Sequence, residues 1–101
     1  MSRAQLVSRG DGSFAIRGPL DFDSVTGLLS QGEQQFGDGT PLVIDLGEVT
    51  RANSAGLALL LEWLDRARGR QQAVSFLNLP GSLLEIAAFT NVINLLPIDH
   101  T

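Results

Sequence analysis

The chain has 101 residues, 44% of them hydrophobic, and a formal net charge of -4 at pH 7. That length suits one domain, residues 1–101, with its own core. It has no cysteine, which excludes disulfides, thiol catalysis and cysteine-ligated metal, and the acidic balance argues against nucleic-acid binding. No leader-type apolar segment opens the sequence and no apolar run approaches membrane-spanning length, so a cytoplasmic protein without direct membrane insertion is expected.

In chain order, Ala4 to Arg9 and Ser13 to Arg17 are short strand candidates joined by Gly10-Asp11-Gly12, a strong hairpin signal. Phe14 and Ile16 alternate with Ala15 and Arg17, giving one buried face, and Gly18-Pro19 ends the strand. Asp21 or Asp23 then caps a helix running to about Phe36, with Val25, Leu28, Leu29, Gly32 and Phe36 on one side. Gly37 to Thr40 turns the chain into an apolar strand at Leu42, bounded by Pro41 and Gly47, and a loop follows as far as Asn53-Ser54.

Both Asn53 and Ser54 are good N-caps, because their side-chain oxygens accept the unpaired amide protons of a first helical turn. In the helix that begins there, Leu57, Leu60, Leu61 and Leu64 have the spacing of one apolar face, and Gly69 is its expected stop. Ala55, Leu59, Glu62, Trp63 and Arg66 fall on the opposite or flanking side. An exposed Leu59–Trp63 pair beside Arg66 has the composition of a protein-contact hot spot; the alternative is that Trp63 folds over the core edge. Arg66, Arg68 and Arg70 complement the helix carboxyl end or form a small anion or partner patch. Ala73 to Leu77 supplies another strand. Ser82 caps a third helix whose evenly apolar Leu83, Leu84, Ile86, Ala87 and Phe89 imply a partly exposed or partner-covered face, and Val92 to Leu96 could form an edge strand. The tail after Pro97, including His100, is uninformative.

Strands alternating with helices after an opening hairpin predict an α/β fold, a mixed sheet with crossover helices packed on it. Asp45, at the end of the Leu42 strand, suits a turn-stabilising acceptor. Gly56, one turn into the central helix, marks either a close approach or a tolerated small residue. Phosphate-binding glycine loops, zinc spacings and nucleophile–base pairs are lacking, so neither catalytic residue, metal nor cofactor is expected.

The order and the motifs Val43-Ile44-Asp45-Leu46, Asn53-Ser54-Ala55-Gly56 and Gly18-Pro19-Leu20-Asp21 resemble a STAS domain, the fold of sulfate transporters and anti-sigma-factor antagonists. Gly56 to Leu61, Asp65 and the Pro80 to Pro97 segment ending in Asn-Leu-Leu-Pro are most similar to the small cytosolic STAS subunit of the Mla lipid-transport ABC system. The resemblance implies a non-enzymatic subunit that binds the cytosolic ATPase of a transporter maintaining outer-membrane lipid asymmetry, held at the inner face of the inner membrane through that partner. It places Asn53, Ser54, Ala55, Leu59, Trp63 and Arg66 at the partner-binding or regulatory surface. In anti-sigma antagonists the residue matching Ser54 is phosphorylated, which supplies the alternative function. Asn53 stands where the family usually has Asp, so one negative charge beside the hydroxyl is missing.

Overall fold

The computed structural model describes residues 4–37 and 39–99. Its order is β1 (Gln5–Gly10), β2 (Ser13–Leu20), α1 (Val25–Gln35), β3 (Leu42–Ala52), α2 (Ser54–Gly69), β4 (Val74–Leu77), α3 (Gly81–Phe89) and β5 (Ile98–Asp99). The five strands form one sheet in the order β1-β2-β3-β4-β5, with β1 antiparallel to β2 and every other pair parallel. The mixed sheet, opening hairpin and crossover helices expected from the sequence are all present.

Each crossover advances one strand in the same direction. Right-handed connections then put all three helices on one face, where α2 contacts α1 on one flank and α3 on the other. That face is apolar by strand alternation: Leu6 lies opposite Ile16, Phe14 opposite Ile44, and Ile44 opposite Phe76, and all five are buried. The bare face carries charge. Arg9 bridges Asp45 at 2.8 Å and Glu48 at 2.7 Å, and Arg17 reaches Glu48 at 3.1 Å. The free edge of β1 is covered by α1. Gln31 Oε1 accepts the Leu6 N–H at 2.8 Å, and Gln35 Nε2 donates to the Leu6 carbonyl at 3.3 Å.

Several boundaries differ from the sequence expectation. β2 continues through Gly18-Pro19 to Leu20 and β3 through Gly47 to Ala52, because two irregularities in their pairing absorb extra residues on β3 and let the strands finish together. Ser24, not Asp21 or Asp23, stands at the N-cap position of α1, and its side chain turns back on Asp21 instead of capping. α2 runs through Gly69, and the left-handed turn that ends it falls on Gln71 at φ 55°. Pro80, not Ser82, precedes α3. The segment 92–96 forms a short 3-10 turn at Ile93–Leu95, and the last strand lies beyond it at Ile98–Asp99. Asp38, His100 and Thr101 lie outside the described residues.

Candidate protein-docking site

Because β2 and β3 are parallel neighbours, their carboxyl ends finish side by side: Leu20 pairs with Ala52, and the Leu20 carbonyl accepts the Asn53 N–H at 3.2 Å. The loop 21–24 and the first turn of α2 therefore share one end of the sheet. Gly56 brings them into contact. A Cβ on Gly56 would lie 2.7 Å from Leu20 Cγ and 3.2 Å from the Leu20 carbonyl oxygen, so no larger residue fits without displacement. The fully buried Leu20 packs directly on the helix backbone.

The cap of α2 is Asn53, extended at φ -132°, whose Oδ1 accepts the Ala55 N–H at 2.9 Å. Ser54 is released from that duty. It is the first helical residue, exposed, and its hydroxyl has no hydrogen bond to the described residues. With no acidic side chain in the first turn, the partial positive charge of the helix end is left uncompensated beside that hydroxyl. Phe22, 72% exposed, and Arg51 lie on the adjoining chain ends. Arg51 pairs with Asp21 at 3.2 Å. Desolvation pushes the Asp21 carboxyl up, but the Arg51 hydrogen bond and the Asp23 N–H outweigh it and hold the group below its ordinary range.

From this end a groove of about 330 Å³ runs between α1 and α2. Val25 and Leu29 form one wall and Ala55, Ala58 and Leu59 the other, with Phe22 at the mouth. Glu62 stands on the rim, hydrogen-bonded at 2.8 Å to Arg66, which also pairs with Glu33 of α1. One guanidinium thus spans the two helices between two carboxylates, which raise its pKa.

The outward Leu59–Trp63 face expected from the sequence does not exist. Leu59 is 4% and Trp63 3% exposed. As the middle helix of three, α2 is covered on both flanks as well as beneath, and its outward line is Ser54, Ala58, Glu62 and Asp65. Leu59 is a groove wall. Trp63 belongs to an edge-to-face aromatic chain, 5.2 Å from Phe36, which is 5.1 Å from Phe14. Its indole nitrogen faces Gly32, where a Cβ would come within 2.9 Å, and its N–H is buried without a hydrogen-bond partner among the described residues. Ala55 is buried too, and Arg66 is half-buried in its ion pairs. Of the six proposed contact residues, Ser54 alone is exposed, with Asn53 half-buried beside it. Phe22 went unnoticed by the sequence argument, although an isolated aromatic between two aspartates in a loop was the available signal.

Asp45 lies away from this end, on the bare face of the sheet. Its Oδ1 accepts the Gly47 N–H at 2.8 Å and the Asn78 amide at 2.9 Å, and its Oδ2 meets Arg9. Desolvation raises the carboxyl, yet these three partners together leave it below the usual carboxylate range. Among the described residues no group of acidic or imidazole side chains is arranged to hold a metal ion, and no helix is long and apolar enough to cross a membrane.

Solved structures share this architecture. An anti-sigma factor antagonist from Thermotoga maritima, so described as putative, superposes with a TM-score of 0.79 at 13% identity, covering 97% of this chain and 86% of the other. One from Mycobacterium paratuberculosis gives 0.77 at 21% identity over 97% and 85%. The phosphorylated form of the Bacillus cell fate determinant SpoIIAA gives 0.63 at 17% identity over 96% and 91%. At these identities the likeness is one of fold. Comparison with curated proteins finds no significant match. The family model described as "Mlab, STAS domain" matches residues 7–97, from β1 to the residue before β5. A match of that extent, over a sheet and helices arranged as in these neighbours, makes the chain a member of the STAS domain family.

Proposed function

We propose that this chain is a non-enzymatic protein-binding module, the STAS accessory subunit that docks on the cytosolic ATPase of an Mla-type lipid ABC transporter. The observation that carries the reading is Ser54: a hydroxyl without a hydrogen bond among the described residues, at the capped amino end of α2 and next in the chain to Ala55, which lines the same groove as the 72% exposed Phe22. A rigid polar point next to an unburied aromatic is the composition of an interface centre. The description of the matching family as Mlab supports the choice of partner. On this reading the protein works in the cytoplasm, at the inner face of the inner membrane through its partner, in a system that maintains outer-membrane lipid asymmetry. Asn53 and Ser54 form the contact, Ala55 and Leu59 line the adjoining groove, Arg66 pairs with the rim carboxylate Glu62, and Trp63 is left to the core.

Co-purification with the ATPase encoded beside its gene tests this. Wild-type protein retains the ATPase; Ser54→Arg, which places a long cation on an exposed first-turn position, folds and loses it. Association unchanged by that substitution would count against the docking end proposed.

The structural neighbours favour one second reading, an anti-sigma-factor antagonist controlled by phosphorylation of Ser54. A phosphate there gains from the helix amino end. Mass spectrometry after incubation with a cognate serine kinase decides it, and Ser54 left unmodified removes this alternative.

A further inference from the structure

We infer that the groove between α1 and α2 is a receptor for a basic peptide segment of a partner protein, one that inserts a single large apolar side chain and sets an Arg or Lys against the rim. The inference rests on the protein-binding reading above, though not on which protein is bound. Three observations carry it. The walls are apolar, from Val25, Leu29, Ala55, Ala58 and Leu59, and Phe22 extends them outward. A helix laid along such a cleft anchors through one or two side chains.

The second observation is charge. No Arg or Lys occurs anywhere between Arg17 and Arg51, so α1 contributes acid without base. At the far end one guanidinium, Arg66, serves two carboxylates, Glu33 and Glu62. At the near end Arg51 pairs with Asp21, and Asp23 stands exposed on the other side of Phe22 in the chain. Each end therefore holds one carboxylate more than it has guanidinium, at the near end a formal charge larger than the roughly half-charge of the α2 amino terminus, and complementary to a cationic segment.

The third is what the rim lacks. Its two cations are already ion-paired. A fatty acid or phospholipid would bring an anionic group to a site whose guanidinium groups are paired, leaving it only the partial charge of the α2 amino end, and about 330 Å³ lies at the lower end of ligand-site volumes. A side chain fits this chemistry better than a lipid.

The test uses the intact protein and a phage-displayed library of random twelve-residue peptides. Enriched sequences are expected to carry an aliphatic or aromatic residue three or four positions from an Arg or Lys. Synthetic copies, titrated by anisotropy, should lose about tenfold or more in affinity against Ala58→Arg, since a filled hot-spot pocket accounts for that much binding. They should lose a smaller factor against Glu62→Gln and in high salt, and nothing against Arg17→Gln on the opposite face. Ala58 is exposed on the helix, and an unchanged melting curve verifies that Ala58→Arg folds. Enrichment without basic residues, equal binding to Ala58→Arg, binding of monomeric n-dodecylphosphocholine instead, or self-association blocked by Ala58→Arg would each overturn the inference. Ser54→Arg, tested on the ATPase, reports separately. If that partner fails to bind, the peptide titration keeps its meaning, and failed enrichment, which overturns the inference, leaves the ATPase result standing.

Discussion

Replacing Gly56 by alanine tests the close approach that brings the 21–24 loop to the start of α2. The new methyl would sit 2.7 Å from Leu20 Cγ, 2.9 Å from Cδ2 and 3.2 Å from the Leu20 carbonyl oxygen. Leu20 is fully buried at the end of β2, and the oxygen is backbone that also bonds Asn53, so the clash cannot be relieved by one flexible side-chain tip. Overpacking of this kind costs about 1–3 kcal/mol. Alanine recovers ~1 kcal/mol of helix propensity, leaving a net loss of about 0–2 kcal/mol. For a domain of this size that lowers Tm by up to about 15 °C. Gly27 is the matched control. It holds the same third position in α1, but a Cβ there meets nothing within 4 Å, so Gly27→Ala stabilises by about 0.5–1 kcal/mol. Thermal and urea unfolding of both variants, followed by circular dichroism, gives the comparison. A Gly56→Ala variant stabilised to the same extent as Gly27→Ala would show that the Leu20 contact costs nothing.

Trp63→Ala removes the middle helix's contact with Phe36 and is expected to cost about 3–5 kcal/mol in urea titration, because Trp63 is core and not surface; a loss below about 1 kcal/mol would contradict its burial. Asn53→Ala should cost about 1 kcal/mol of stability, whereas Asn53→Asp keeps the cap and adds about 0.3–1 kcal/mol by placing an anion at the helix amino end; the pair is compared in one urea series. Asp45 and Asp21 are held below their usual values, so their contribution is complete above the unfolded carboxyl pKa near 4 and is lost as pH falls through the lower folded value. Urea midpoints should therefore hold from pH 7 to about 4 and then drop, and Asp45→Asn should be weaker at pH 7 with a shallower acid loss; an unchanged acid slope in that variant removes Asp45 from the account.

The alternation of strands and helices was legible because each element carries its own period: Phe14 and Ile16 in β2, Leu57, Leu60 and Leu64 in α2. The resemblance motifs fixed the order beyond that. What failed was phase and length. The apolar leucines of α2 suggest a helix resting on a sheet with its back to solvent, which puts Leu59 and Trp63 outside. The topology already contained the correction: three successive same-direction crossovers make a single helix layer, and the middle member has two covered flanks. Within α2, polar residues at 54, 62 and 65 mark the line left open. The extra length of β3 was not readable, since Gly47 and the polar residues after it look like loop; only irregular pairing with β2 keeps them in the sheet. The groove could not be foreseen, because it depends on the spacing of two helices and not on either one.

The glutamines of α1 give that helix a second task. By bonding the amide and carbonyl of Leu6, Gln31 and Gln35 stand in for an absent neighbouring strand, and Glu33 between them latches α1 to Arg66 of α2. Prying α1 from α2 to admit a bulkier guest would strip the margin of β1 and leave its main chain open to adhesion by another chain. A groove that widened would thus make the molecule sticky, so on the proposal above the inserted side chain has to suit the cleft as it stands.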